Sequence, residues 1–309
     1  MDITKVVIPA AGFATNFLPF SKAVPKEMLP LLNKPAIQYV VEEGLQAGIK
    51  NFFIVTNKEK QAIGNHFDVY QALEEFLKET NKTELLSDLA KIRRNVNFAY
   101  VRQAEPLGLG HAVLQARSLI HDKEYFGIAL PDDIIQSKTP ALEQLMRVAQ
   151  QERASVVAVQ EIPRELASQY GIVTIKKQIT ASLFQLSQII EKPSPKETPS
   201  DLAVVGRYVL SSKIFDALDT AASYSLGDIH LSDGISTMIR SGERVFAYKI
   251  QGTRYDIGNP LGWMKATLSM GLQDPVYGPH LRRHLSEITH NESLLLPPAH
   301  IKTKTLSRS

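Results

Sequence analysis

Val6-Val7-Ile8-Pro9 is a short apolar run that breaks off in Ala10-Ala11-Gly12. A run without polar alternation predicts a strand covered on both faces, as in a buried parallel sheet. Small residues directly after such a strand let the backbone come close to a ligand. Backbone N–H groups at the turn attract anions, and Lys22 or Lys26, in the proline-punctuated stretch up to Pro30, can add positive charge. The stretch predicts a grip on the phosphates of a nucleotide. An ordinary strand-to-loop turn with solvated lysines fits the same spacing equally well.

The rest of the chain extends the opening strand into an α/β pattern. Residues 35–48 read as a helix: Pro35 suits the first turn, Ile37, Val40, Val41 and Leu45 recur at helical spacing, and Gly48 suits the end. Phe52-Phe53-Ile54-Val55-Thr56 is a second buried strand, which completes a βαβ unit. Residues 59–92 are polar and helix-rich and read as an insertion. Strands are predicted at 97–103, 126–130 and 155–159, with a polar loop at 104–110 and helices at 111–119 and 140–153. Strands follow at 171–175, 187–193, 202–210 and 245–250, helices at 213–220, 231–240 and 261–272. The expected fold is a three-layer, open, mixed but mainly parallel sheet with helices on both faces, continuous rather than split in two. From about Leu296 the chain is proline-bearing, then rich in Lys, Thr and Ser, and is expected to be loose.

Phosphate chemistry with a divalent cation needs hard oxygen ligands and a fixed cationic clamp. The candidates are Asp132, Asp133, Asp256, Lys22, Lys26 and Lys192. Asp132-Asp133 stops an apolar strand, where open α/β sheets place their ligands; a helix cap or solvated turn has the same composition. Asp256 also follows an apolar strand, so the sheet could bring it to Asp132, although Asp256-Ile257-Gly258 alone fits a plain turn. Glu191-Lys192-Pro193 by itself reads as a surface ion pair at a strand end. Gln103, beside a glycine loop, can read a base edge or cap that loop. Eight histidines are scattered; His280 and His284 fall four apart on a helix but have no third ligand and read as surface residues. With no cysteine in 309 residues, disulfides, thiol catalysis and cysteine–metal sites are excluded. A net charge of +3 gives no bulk case for a nucleic-acid polymer. No stretch approaches the ~20 apolar residues of a membrane helix. The start lacks a signal-peptide pattern, which together with the absence of cysteine predicts a cytoplasmic protein. The first loop is not Gly-x-Gly-x-x-Gly, which argues against a dinucleotide-dependent dehydrogenase.

Several blocks, in order, resemble the bacterial UTP–glucose-1-phosphate uridylyltransferases, a group of nucleotide-sugar pyrophosphorylases. They are Pro25-Lys26-Glu27-Met28-Leu29-Pro30, Lys34-Pro35-Ala36-Ile37-Gln38-Tyr39, Asn65-His66-Phe67-Asp68, Val101-Arg102-Gln103, Gly108-Leu109-Gly110-His111, Leu130-Pro131-Asp132, Glu191-Lys192-Pro193 and Val205-Gly206-Arg207-Tyr208-Val209-Leu210. Lys26-Glu27 is closer to the uridylyl than to the thymidylyl branch. The resemblance covers residues 5 to about 275. It implies a Rossmann-like nucleotidyltransferase domain over 1–275, with a C-terminal helix and loose tail over 276–309. It implies UTP and glucose 1-phosphate as substrates, UDP-glucose and pyrophosphate as products, Mg²⁺ as cofactor, and a homodimer or homotetramer. By motif, Ala11, Gly12, Glu27, Gln103 and Gly108 would hold the nucleoside, and Gly171 and Glu191 the glucose. Lys26 would face the UTP phosphates, Lys192 the sugar phosphate, and Asp132 with Asp256 the metal.

The resemblance fails in one loop. The family reads Gly-x-Gly-Thr-Arg where this chain reads Gly12-Phe13-Ala14-Thr15-Asn16. Ala14 replaces a glycine, and a neutral amide at Asn16 replaces a fork of charged donors. The implied alternative to an active transferase is a poorly active nucleotide-sugar-binding paralogue that modulates a true enzyme.

Overall fold

The structure, a computed structural model, describes residues 1–224 and 227–290. Its strands are β1 (Lys5–Pro9), β2 (Pro30–Leu31), β3 (Lys34–Pro35), β4 (Asn51–Thr56), β5 (Asn97–Arg102), β6 (Tyr125–Ala129), β7 (Asp133–Gln136), β8 (Ser155–Glu161), β9 (Gly171–Gln178), β10 (Leu183–Glu191), β11 (Leu202–Ser211), β12 (Val245–Lys249) and β13 (Thr253–Asp256). Its helices are α1 (Ala36–Gln46), α2 (Gln61–Phe67), α3 (Gln71–Glu79), α4 (Ser87–Asn95), α5 (Gly108–Leu114), α6 (Ala141–Glu152), α7 (Ile214–Ala222), α8 (Leu231–Arg240), α9 (Pro260–Gln273) and α10 (Gly278–His290).

Local signals set most of these boundaries. α1 starts directly after Pro35 and buries Ile37, Val40 and Val41 on one stripe, and the chain then leaves it through Gly48 at φ 89°. α9 starts at Pro260 behind Asn259, whose side chain accepts from the Gly262 N–H at 2.9 Å. Residues 59–92 supply α2, α3 and most of α4. The helix expected at 111–119 instead begins at Gly108 and ends at Leu114, followed by a short 3₁₀ turn at Arg117–Leu119. Gly108 has φ 92°, and a Cβ there would stand 2.9 Å from the Ile229 carbonyl oxygen, so only glycine lets α5 begin against that segment. α10 exposes His280 and His284. The expectation for the tail beyond Leu296 lies outside the described residues.

Nine strands form one continuous sheet in the order β5-β4-β1-β6-β11-β8-β12-β10-β9. Alternate residues of β1 enter different cores, Val6 and Ile8 one and Val7 the other. Val156 and Ala158 of β8 part from Val157 and Val159 in the same way, so helices cover both faces.

Two sheet expectations need correction. The sheet is mixed, but not mainly parallel. Pairs β5/β4, β4/β1, β1/β6 and β8/β12 are parallel, while β6/β11, β11/β8, β12/β10, β10/β9 and β9/β11 are antiparallel. Nor is it open throughout, because Ile172 of β9 pairs with Ala203 of β11 and closes β11, β8, β12, β10 and β9 into a small barrel. β11 runs antiparallel to β6, β8 and β9 alike, and the antiparallel hairpin of β9 and β10 carries the chain back to it. Among the described residues, no helix is long and apolar enough to cross a membrane.

Candidate active site

The loop after β1 passes Ala10 and Ala11, both buried, and reaches Ala14 at φ 54° and ψ 47°. The position that the family fills with glycine is therefore left-handed, and the methyl of Ala14 is strained there by roughly 1–2 kcal/mol. Ser21 Oγ and the Phe17 N–H both donate to the Ala14 carbonyl, at 2.8 and 2.9 Å, and hold the turn. This loop walls a hollow of about 430 Å³, lined also by Lys26, Glu27, Gln103, Gly108 and Asp132. Gln103 Nε2 donates to Gly108 O at 3.2 Å and lies 2.9 Å from His111 Nδ1. Its amide nitrogen thus caps the glycine loop while the residue also lines the hollow. Glu27 is buried and takes Lys60 Nζ on both oxygens at 2.9 Å. It supports the floor through an ion pair that the motif comparison did not foresee. Lys22 is exposed and is not among the residues lining the hollow.

A second hollow, of about 340 Å³, lies on the barrel side and is lined by Asp132, Asp133, Tyr170, Gly171, Glu191, Lys192, Arg254 and Asp256. Gly171 and Glu191 are ladder partners, and Ser232 Oγ donates to Glu191 Oε2 at 2.8 Å. Lys192 follows directly at φ 45°, a left-handed backbone that lysine adopts only under constraint. Its N–H donates to the Tyr170 carbonyl at 3.0 Å, which fixes the turn on the hollow's rim.

Asp132 belongs to both hollows. Lys26 Nζ donates to its Oδ2 at 2.6 Å. Burial disfavours the Asp132 charge, but Lys26 outweighs it and holds the carboxyl below its usual range. Burial likewise opposes the Lys26 charge, yet Asp132, Glu27 and Asp256 carry its pKa above the usual lysine value. Both groups are ionised at neutral pH.

The main sheet does not bring Asp256 to Asp132, contrary to expectation. The two-stranded ribbon β7/β13 does, by setting Asp256 opposite Asp133. A Cβ placed on Gly258 would lie 3.1 Å from Asp256 Oδ1 and 3.5 Å from Asp132 Oδ2, so both carboxylates reach the same point. Among the described residues there is no group of three or more His, Cys, Asp or Glu placed to hold a metal. The two carboxylates offer hard oxygen donors at this point.

Two arginines hold this arrangement. Arg207 is fully buried and donates to the carbonyls of Leu130 (3.1 Å) and Asp133 (2.9 Å), on either side of Asp132, while Glu43 takes its Nε and Nη2. Arg254 donates from Nε to Asp133 Oδ1 at 2.6 Å and from Nη2 to Asp256 Oδ2 at 3.1 Å. Sequence reasoning passed over both. Arg254 had a legible signal, since it stands two residues before Asp256 on a strand and so shares its face. Arg207 stood in the block at 205–210 without a role, and Lys60 gave no signal, since it looks like an isolated charge until its distant partner Glu27 is known.

Two adjoining hollows, a small-residue loop after the first strand and paired carboxylates between two lysines define an enzyme that transfers a nucleotidyl group. The chain belongs to the nucleotidyl transferase family, whose family model matches residues 5–271. A UTP–glucose-1-phosphate uridylyltransferase of Bacillus subtilis (strain 168) is 44% identical over 291 residues, 94% of this chain and 97% of that protein. Among solved structures, UTP-bound UGPase from Acinetobacter baumannii superposes with a TM-score of 0.85 at 37% identity, covering 93% of this chain and all of that one. A UDP-glucose pyrophosphorylase complexed with UDP-glucose gives 0.81 at 35% identity over 88% of this chain and 100% of its own.

Proposed function

We propose that this protein condenses UTP with glucose 1-phosphate to give UDP-glucose and pyrophosphate. The observation that carries the reading is the shared wall: Asp132 borders both hollows, with Lys26 lining one and Lys192 the other. The nucleotide occupies the hollow under the Ala11–Thr15 loop, where Gln103 and Gly108 meet the base. The sugar phosphate occupies the barrel-side hollow, with Gly171 and Glu191 at its hydroxyls and Lys192 at its phosphate. A phosphate oxygen of the sugar then attacks the α-phosphorus in line. The bond from that phosphorus to the bridging oxygen breaks, and pyrophosphate leaves with the electron pair. Nothing is transferred to the protein, whose contribution is alignment and fixed positive charge.

The donor set fits Mg²⁺, a hard cation that takes one or two carboxylates and completes its shell with phosphate oxygens and water. Asp132 and Asp256 would hold it, and its chemistry there is to draw negative charge from the phosphates. Lys26 keeps Asp132 ionised and oriented for that role. The transferase unit is assigned to residues 1–275 and acts in the cytoplasm, where UTP is supplied. Assembly as a homodimer or homotetramer, expected from the family resemblance, is read by light scattering.

The test is pyrophosphate release from UTP, glucose 1-phosphate and Mg²⁺, which should be present in the parent and absent in Asp132→Ala. Release no greater than a protein-free control refutes the transferase; UDP-glucose binding without turnover would make the chain the modulating paralogue instead.

A further inference from the structure

Asp256 is held on both oxygens, but by different parts of the fold. Oδ1 accepts the Gly258 N–H at 3.0 Å and, like Asp132 Oδ2, borders the space beside the Gly258 Cα. Oδ2 faces the barrel, where it accepts Tyr170 Oη at 2.9 Å and Arg254 Nη2 at 3.1 Å. The Arg254 guanidinium also lies over the Tyr170 ring, 5.0 Å from its centroid. The backbone of the same tyrosine serves the other substrate. Its carbonyl accepts the Lys192 N–H at 3.0 Å, and the next residue, Gly171, pairs with Glu191.

One residue is therefore bonded at its hydroxyl to a candidate metal ligand and at its carbonyl to the lysine on the sugar-phosphate rim. We propose that Tyr170 is a positioning residue that locks the rotation of the Asp256 carboxylate and keeps it in register with the Lys192 turn. Binding of the sugar phosphate and formation of the metal site are then coupled through its side chain. The inference rests on the function proposed above. Hydrogen bonds to a metal-binding carboxylate govern its orientation and basicity, and their removal commonly costs ten- to a hundredfold in metal affinity. Packing alone does not account for the hydroxyl. The ring of a phenylalanine would sit under Arg254 equally well.

Tyr170→Phe deletes only that hydroxyl. Mn²⁺ replaces Mg²⁺ as a probe, and protein-bound Mn²⁺ is followed by its enhancement of water-proton relaxation in the presence of saturating UTP, against a protein-free Mn²⁺–UTP control. The expected result is about a tenfold loss of Mn²⁺ affinity with unchanged UTP binding in the absence of metal and an unchanged melting temperature. In turnover, the KM for glucose 1-phosphate should rise severalfold. Arg254→Lys, which keeps the charge but loses the two-point contact to Asp133 and Asp256, should also weaken Mn²⁺ binding. Tyr170→Phe within twofold of the parent in both Mn²⁺ affinity and glucose 1-phosphate KM overturns the proposal. If the parent proves inactive, the transferase reading falls while the Mn²⁺ titration still decides on Tyr170. A parent that binds no Mn²⁺ with UTP present overturns both.

Discussion

Asn16→Arg isolates the loop in which this chain departs from its relatives. Asn16 follows the left-handed Ala14 by two residues, and its Nδ2 donates to the Gly258 carbonyl at 3.3 Å. Position 16 therefore lies against the Asp256-Ile257-Gly258 turn, next to the carboxylate to which the proposed function gives the metal and phosphates. The bond that arginine would replace is long, neutral and exposed, worth less than about 1 kcal/mol. A guanidinium there would meet the departing pyrophosphate with charged, forked donors, a contact worth about 1.5–3 kcal/mol. Charge accumulates on the leaving group only as the bond breaks, so most of that energy acts in the transition state. The expected gain is about ten- to a hundredfold in kcat, with a smaller change in the KM for UTP. Continuous pyrophosphate release at saturating substrates measures it, with melting temperatures to verify that parent and variant are equally folded. A well-folded Asn16→Arg that turns over no faster than the parent refutes the reasoning, because residue 16 would then not face the leaving group.

Further expectations follow from the same contacts. Ala14→Gly removes a methyl from a left-handed position and should stabilise the fold by about 0.5–1 kcal/mol after the added freedom of the unfolded chain is subtracted; urea unfolding reads the change, and a loss of stability refutes it. Lys60→Met strands the Glu27 carboxylate in the interior and should cost about 3–5 kcal/mol, mostly recovered in Lys60→Met/Glu27→Gln; a single-variant loss under 1 kcal/mol in urea titration would show that the pair reorganises freely. The Lys26–Asp132 pair should support stability across the neutral range. The Asp132 contribution is complete above the ordinary carboxylate value of 3.8 and fades as pH falls through its lower folded value. The Lys26 contribution is complete below 10.5 and fades only as pH climbs through its higher folded value. The stability gap between parent and Lys26→Met should thus be flat from about pH 5 to 9 and shrink in acid; a gap that widens in acid would mean the carboxylate is not the lysine's partner.

The sequence was most informative where burial is local. β1, β4 and β8 announce themselves as continuous apolar runs because both faces are covered, and Gly48 marks a helix end through a backbone preference that needs no tertiary context. The order β6-β11-β8 and the return of β9 to β11 were not legible, because they rest on pairings between segments far apart in the chain. The same division holds in the site. Asp132, Asp256, Lys26 and Lys192 could be named as candidates, because the two aspartates stop apolar stretches and the two lysines stand in proline-bearing motifs. What orients them could not: Lys60 meets Glu27 across 33 residues, Arg207 meets Glu43 across 164, and Arg254 meets Asp133 across 121.

The closing contact between Ile172 and Ala203 also bears on how the molecule behaves in crowded solution. A sheet of nine strands ordinarily ends in two unpaired borders, each a template for strand exchange with a neighbour. Here the start of β9 is occupied on both sides, and the stretch running past the seam carries Lys176, Lys177 and Gln178, charges and amides that discourage a foreign strand. Among the described residues, β5 keeps an unpaired border of this sheet, at its far end from the barrel.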